Sequence, residues 1–175
     1  MEREILFRGK KSNGKWIYGS LVMSEKIDPA IYFNISKGAA EVLDWCYVKP
    51  DTVGQYTGLK DKNGVKIFEG DIISYYTTET YCINPDCDLA LQGYGSKLVK
   101  KKHEVKYIDD CFCVDDGTCR PLPISYCGIL SEEFDEFKAT VDHDPYFDTN
   151  GYKLDDSIIG IEIIGNVTDN PELIK

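Results

Sequence analysis

The stretch from Val53 to Ile73 restricts the fold more than any other part of this chain. Glycines at 54, 58, 64 and 70 supply positions for positive φ or close backbone approach. Asp61-Lys62-Asn63-Gly64 reads as a tight turn between two apolar runs. Glycine at 70, just ahead of Asp71, permits the sharp bend at which a strand enters a small barrel. Nothing in the stretch supplies a nucleophile, a metal cage or a phosphate cradle, so it is read as architecture.

Two-residue alternation extends that reading along the chain. Ile5 and Phe7 share a face, Ser12-Asn13-Gly14 turns the chain, and Trp16, Tyr18 and Ser20 alternate with Ile17, Gly19 and Leu21. Strands are expected at 30–34, at 41–48 up to Lys49-Pro50-Asp51, at 66–68 and at 71–77. A hairpin is expected from 103–108 and 111–114 with its turn at Asp109-Asp110, and 157–167 is apolar enough for a central strand. Helical spacing is confined to Leu130, Phe134, Phe137 and Val141, with Ser131 as N-cap, and to a final turn at Asn170-Pro171. The fold class expected is mainly β: a small, strongly curved sheet or partly open barrel with additional strands and one short amphipathic helix. Alternation alone does not separate an SH3-like barrel from another small barrel or a sandwich.

At 175 residues and 42% hydrophobic content, the chain suits one compact domain spanning 1–175. No apolar run approaches the roughly 18 residues of a membrane span, and MEREILFRGKK lacks the order of a signal peptide, so a soluble, cytosolic protein is expected. A net charge of −10 disfavours nucleic acid, which needs a positive surface. Lys97, Lys100, Lys101 and Lys102 are read as a solvated strand end or loop. The opposite sign gathers between Ser131 and Asp156, where Glu132, Glu133, Asp135 and Glu136 lead an acidic segment able to imitate DNA or dock on a basic protein; a solubilising surface is the plainer reading.

Seven cysteines without an export signal are expected to be reduced. Cys82-x4-Cys87 and Cys111-x-Cys113-x5-Cys119 could supply a zinc site, but their spacing favours buried or half-buried thiols. Cys82 and Cys87 are the better half of such a site, because Asn84-Pro85-Asp86 turns the chain between them, and His103 or His143 would complete it. No metal or other cofactor is expected. Gly-x-Ser-x-Gly, His-Glu-x-x-His and phosphate-loop motifs are all absent, and a calcium loop around 148–151 would need an acid at Tyr146 and a glutamate at Ser157. Glu69 and Asp71 suit backbone ligation at a bend better than acid and base catalysis, and the expectation is a protein without enzymatic activity.

Three blocks carry a resemblance: Arg3 to Lys10 with Gly14, Trp16, Tyr18, Gly19 and Leu21; Val53 to Ile73; and Glu162 to Val167 with Asn170, Pro171, Glu172 and Leu173. In this order they resemble the YopX-like proteins of bacteriophages and prophages, while the cysteine-containing, acidic middle at 77–156 matches no pattern recognised in that family. The resemblance implies an SH3-like barrel core, a place in the cytoplasm of a bacterial host, and a non-enzymatic module binding a protein partner. Such binding is expected at an exposed Gln55-Tyr56-Thr57 turn and nearby aromatic strands. The alternative is an acidic mimic or regulator of a DNA-handling protein acting through Glu132, Glu133, Asp135 and Glu136; a zinc-stabilised small domain ranks below both. Sheet edges, with twelve tyrosines and two tryptophans, also lead to an expected homo-oligomer.

Overall fold

The computed structural model describes residues 4–36, 42–86, 93–114, 120–121, 129 and 134–174. Two sheets organise the chain. The first contains β1 (Phe7–Lys10), β2 (Trp16–Val22), β3 (Ala30–Asn34), β4 (Leu43–Tyr47), β5 (Gly54–Lys60) and β6 (Lys66–Phe68), in the order β4-β3-β2-β1-β5-β6. In the second, β7 (Asp71–Cys82), β8 (Tyr94–Ile108), β9 (Cys111–Val114), β10 (Arg120–Pro121) and β12 (Ile161–Asn166) follow the order β10-β9-β8-β7-β12. Short β11 (Phe147–Asp148) joins β8 in parallel, and an isolated parallel bridge links Ile129 to Ile159; among the described residues the other strand pairings are antiparallel. The mainly β expectation holds. Among the described residues neither sheet closes into a barrel, so the SH3-like comparison rests on the sequence resemblance alone.

The turns form where their residue types require. Asp109 and Asp110 both take positive φ, 49° and 63°, in the tight β8–β9 hairpin. At 61–64, Gly64 has φ 80° and the Asp61 carboxylate accepts from the backbone N–H groups of Asn63 and Val65, each at 2.9 Å. The same carboxylate accepts from Ile163 N at 3.4 Å, and Lys62 N donates to Ile161 O at 2.8 Å. The β5–β6 turn therefore occupies the outer edge of β12. This corrects the expected central strand at 157–167: Asp155 caps a 3-10 turn at Asp156–Ile158, Gly160 takes φ 74°, and the strand begins only at Ile161, at the end of its sheet. Its apolar composition answers to the turn packed over it.

The main core lies where β5 and β6 cross the second sheet. Ile67, Ile73, Tyr75, Val105, Val114 and Ile161 form it, with Leu59 and Ile163 against them. Burying each such aliphatic side chain contributes about 1.5–3 kcal/mol. A second cluster of Ile17, Ile31 and Val48 fills one face of the first sheet, and a third joins Leu98 to Ile129 and Ile158. Helix α1 (Phe134–His143) seats Phe134 and Phe137 on that third cluster and buries Val141, as its spacing predicts; its expected cap, Ser131, lies outside the described residues.

The β7–β8 ribbon exceeds expectation. Its pairing runs from Ile72 opposite Glu104 to Cys82 opposite Tyr94, and the lysine run lies inside it rather than at a strand end or in a loop. Lys101 and Lys97 reach the Glu79 carboxylate at 2.9 and 3.7 Å. Among the described residues no helix is long and apolar enough to cross a membrane.

Candidate functional site

Pairing on the first sheet decides which aromatic side chains are available to a partner. Ser20 lies opposite Tyr32, and Tyr32 opposite Trp45, so Tyr18, Tyr32, Trp45 and Tyr47 share one face by two-residue alternation. The opposite face carries the Ile17, Ile31 and Val48 cluster. On the outer face Tyr32, Trp45 and Tyr47 remain 36%, 46% and 47% exposed. Their rings hold one another in place: Tyr32 stacks on Trp45 with centroids 6.1 Å apart, and Trp45 meets Tyr47 edge-on at 5.1 Å. Exposed Val22 and Leu43 extend the same surface.

Toward β5 and β6 this face runs into the second sheet. Tyr18 contacts Phe68 at 5.4 Å and helps line a cleft of about 520 Å³, together with Leu6, Phe68, Asp71 and Ile163. At the junction Arg8, 7% exposed, donates from Nη1 to the Asp71 carboxylate at 2.5 Å and from Nη2 to Glu69 O at 2.9 Å. Trp16 and Phe68 lie 4.9 and 5.1 Å from its guanidinium carbon. The second Asp71 oxygen accepts from Phe68 N at 2.7 Å. Burial pushes the Asp71 carboxyl up from its ordinary value, and Arg8 offsets only part of that. Glu69 is likewise raised, chiefly by burial. Both carboxylates thus sit at a bend, Asp71 ligating a backbone amide there.

A second clasp lies nearby. Asp169 accepts from Lys10 Nζ and, at 2.8 Å, from Trp16 Nε1. These bonds, Lys10 first and Trp16 next, lower its pKa to about 2.

Gln55, Tyr56 and Thr57, expected in an exposed turn, instead lie within strand β5. Tyr56 is 6% exposed and packs on Phe68, while Thr57 Oγ1 donates to Ile67 O at 2.9 Å. The glycines around them favour turns, but pairing with β1 and β6 fixes the segment in the sheet. Asp135 and Glu136 are exposed on the first turn of α1, whereas Glu132 and Glu133 lie outside the described residues. Cys82 is half-buried at the end of β7, and Cys87 lies outside the described residues. Among the described residues no three of His, Cys, Asp and Glu are grouped to hold a metal ion. Sequence alternation placed Tyr32 and Trp45 on strands without revealing that their shared face is open. Only the strand order shows this.

The family model described as YopX protein matches residues 6–175, the cysteine-containing, acidic middle at 77–156 included. No curated protein matches the chain. A solved structure, that of protein EF1440 from Enterococcus faecalis, is similar at 20% identity and a TM-score of 0.48, over 99% of this chain and 100% of that one. The match to the family model spans nearly the whole length, and the chain belongs to the YopX family.

Proposed function

We propose that this protein is a non-enzymatic interaction module that binds a protein partner through the outer face of β2, β3 and β4. One observation carries the reading: Tyr18, Tyr32, Trp45 and Tyr47 form an ordered, open aromatic surface on a sheet whose other face is already filled by core. Tyrosine and tryptophan fixed in this way supply contact area at little entropic cost and are enriched where partners bind. The assignment replaces Gln55 to Thr57, whose central tyrosine is buried, with neighbouring aromatic strands. Commitment of Arg8, Asp71 and Glu69 to a junction between sheets supports a scaffold rather than a reaction centre. The sequence resemblance to phage and prophage proteins supports a partner in the cytoplasm of a bacterial host.

Photo-crosslinking tests the reading. A photoreactive residue replacing Trp45 or Tyr47 is expected to trap a discrete host protein, and one replacing exposed Glu172 is not. Equal trapping at all three positions, or none at the first two, overturns it.

A second reading has its own observation. Asp135, Glu136, Asp142, Asp148, Asp155 and Asp156 are all exposed, an arrangement that suits an acidic mimic of nucleic acid docking on a basic site. Complexes formed that way weaken steeply with salt. Neutralising Glu132, Glu133, Asp135 and Glu136 together is expected to release the partner; a partner that remains bound eliminates this mimic.

A further inference from the structure

We propose that the outer edge of β4, unpaired among the described residues, accepts an extended, cationic peptide segment as an added strand, with its basic side chains over Trp45 and Tyr47. The proposal rests on the interaction reading above and names both the mode of binding and the chemistry of the partner.

Backbone direction is the first support. Strand β4 ends the first sheet, and on either side of it Ile35 N donates to Val42 O and Val48 N to Pro29 O, both at 2.9 Å. Hydrogen-bonding groups alternate sides along an antiparallel strand, so residues 42, 44, 46 and 48 face β3. Leu43, Trp45 and Tyr47 therefore direct their amide and carbonyl groups outward. Trp45 N is held by the neighbouring Asp44 carboxylate at 2.8 Å. That local acceptor occupies the edge in the free protein, and a carbonyl from an incoming strand can take its place.

Charge is the second support, and it selects the occupant. Beside Tyr47 lies an open depression of about 600 Å³ lined by Glu25, Lys26, Ile27 and Asp28. It holds two acids against one base. An arginine or lysine can lay its stem along Tyr47 and bring its charged head to Glu25 and Asp28. In an added strand, alternate residues share one face at a spacing of about 7 Å, which carries successive basic side chains along the Trp45 and Tyr47 rings. The chain's net charge of −10 favours approach of such a segment and opposes phosphate backbones. A second copy carries the same net charge of −10, so charge disfavours that occupant too.

Fluorescence anisotropy with labelled peptides tests the proposal. The probe alternates arginine and valine; its comparators replace arginine with glutamate, or carry N-methyl groups on one alternate set of amides or on the other. The arginine peptide is expected to bind, with the glutamate peptide at least about tenfold weaker and affinity falling as salt rises. One N-methyl set, which blocks bonds to β4, is expected to weaken binding about tenfold, and the other to leave it unchanged. These comparisons use the unaltered protein and so do not depend on a variant folding. Trp45→Ala and the pair Glu25→Gln with Asp28→Asn are each expected to weaken binding by at least about fivefold. Equal affinity for acidic and basic peptides, indifference to which amides are methylated, or no binding overturns the proposal. Sedimentation showing a dimer that Trp45→Ala dissolves assigns the edge to a second copy and overturns it as well. If crosslinking from Trp45 traps a partner while the peptide series fails, strand addition falls and the interaction face stands. Failure of both experiments removes both readings.

Discussion

Arg8 and Asp71 show how little a buried ion pair reveals about net stability. Each is almost wholly withdrawn from water, and burial outweighs the attraction of Arg8 in setting the Asp71 pKa. Breaking such a pair nevertheless leaves a stranded charge. Asp71→Ala is expected to cost about 3–5 kcal/mol in urea unfolding, and Arg8→Met with Asp71→Leu less than the sum of the single changes. A loss below about 1 kcal/mol for Asp71→Ala would show that the junction does not depend on the pair. Asp169 has the opposite sign. Its folded pKa, about 2, lies below the unfolded value, so its stabilisation is complete above about pH 4 and disappears as pH falls toward about 2. Asp169→Asn is expected to lower the thermal midpoint at neutral pH and to flatten its decline across that acid window. An unchanged acid limb in the melting profile would count against the Lys10 and Trp16 clasp. Asp71 and Glu69, both raised, act the other way: what they contribute is present at low pH and lost as pH rises through their folded values.

At the scale of elements, two glycines separate space from backbone strain. A Cβ on Gly19 would lie 1.9 Å from Tyr32 O, inside the β2–β3 pairing, whereas Gly58 has φ 90° and nothing within 4 Å. Gly19→Ala is expected to cost at least about 3 kcal/mol and to disturb the aromatic face, and Gly58→Ala only about 1 kcal/mol. Similar losses for both would indicate that β2 and β3 pair less closely. Much at this scale was legible beforehand. Trp16 to Leu21 alternates cleanly, Asp109-Asp110 tolerates positive φ, and Phe134, Phe137 and Val141 keep helical spacing. The length of β7–β8 was hidden because Thr77 to Thr80 and Lys100 to Lys102 are polar and leave little apolar rhythm. The site was legible only in its parts. Tyr56 and Trp45 look alike in sequence, and one is buried by Phe68 while the other is left open by its place on the last strand.

For the whole molecule, the decisive contacts lie between the sheets. Asp61 closes its own turn and also binds the backbone of β12, so burial, which raises its carboxyl pKa, is outweighed by hydrogen bonds from Val65, Ile163 and Asn63 that lower it. Asp61→Ala is expected to accelerate hydrogen exchange at Val65 and Ile163 together, although these residues are far apart in sequence. Acceleration at Val65 alone would mean that the turn and β12 open independently. The two tryptophans divide the molecule in a useful way. Trp16 is fastened at the junction by Asp169 and Arg8, and Trp45 stands on the open edge strand. Their indole rings therefore form two optical channels within one chain. With Trp45→Phe the remaining emission follows separation of the sheets, and with Trp16→Phe it follows occupation of the edge, so folding and recognition can be timed apart without attaching a dye.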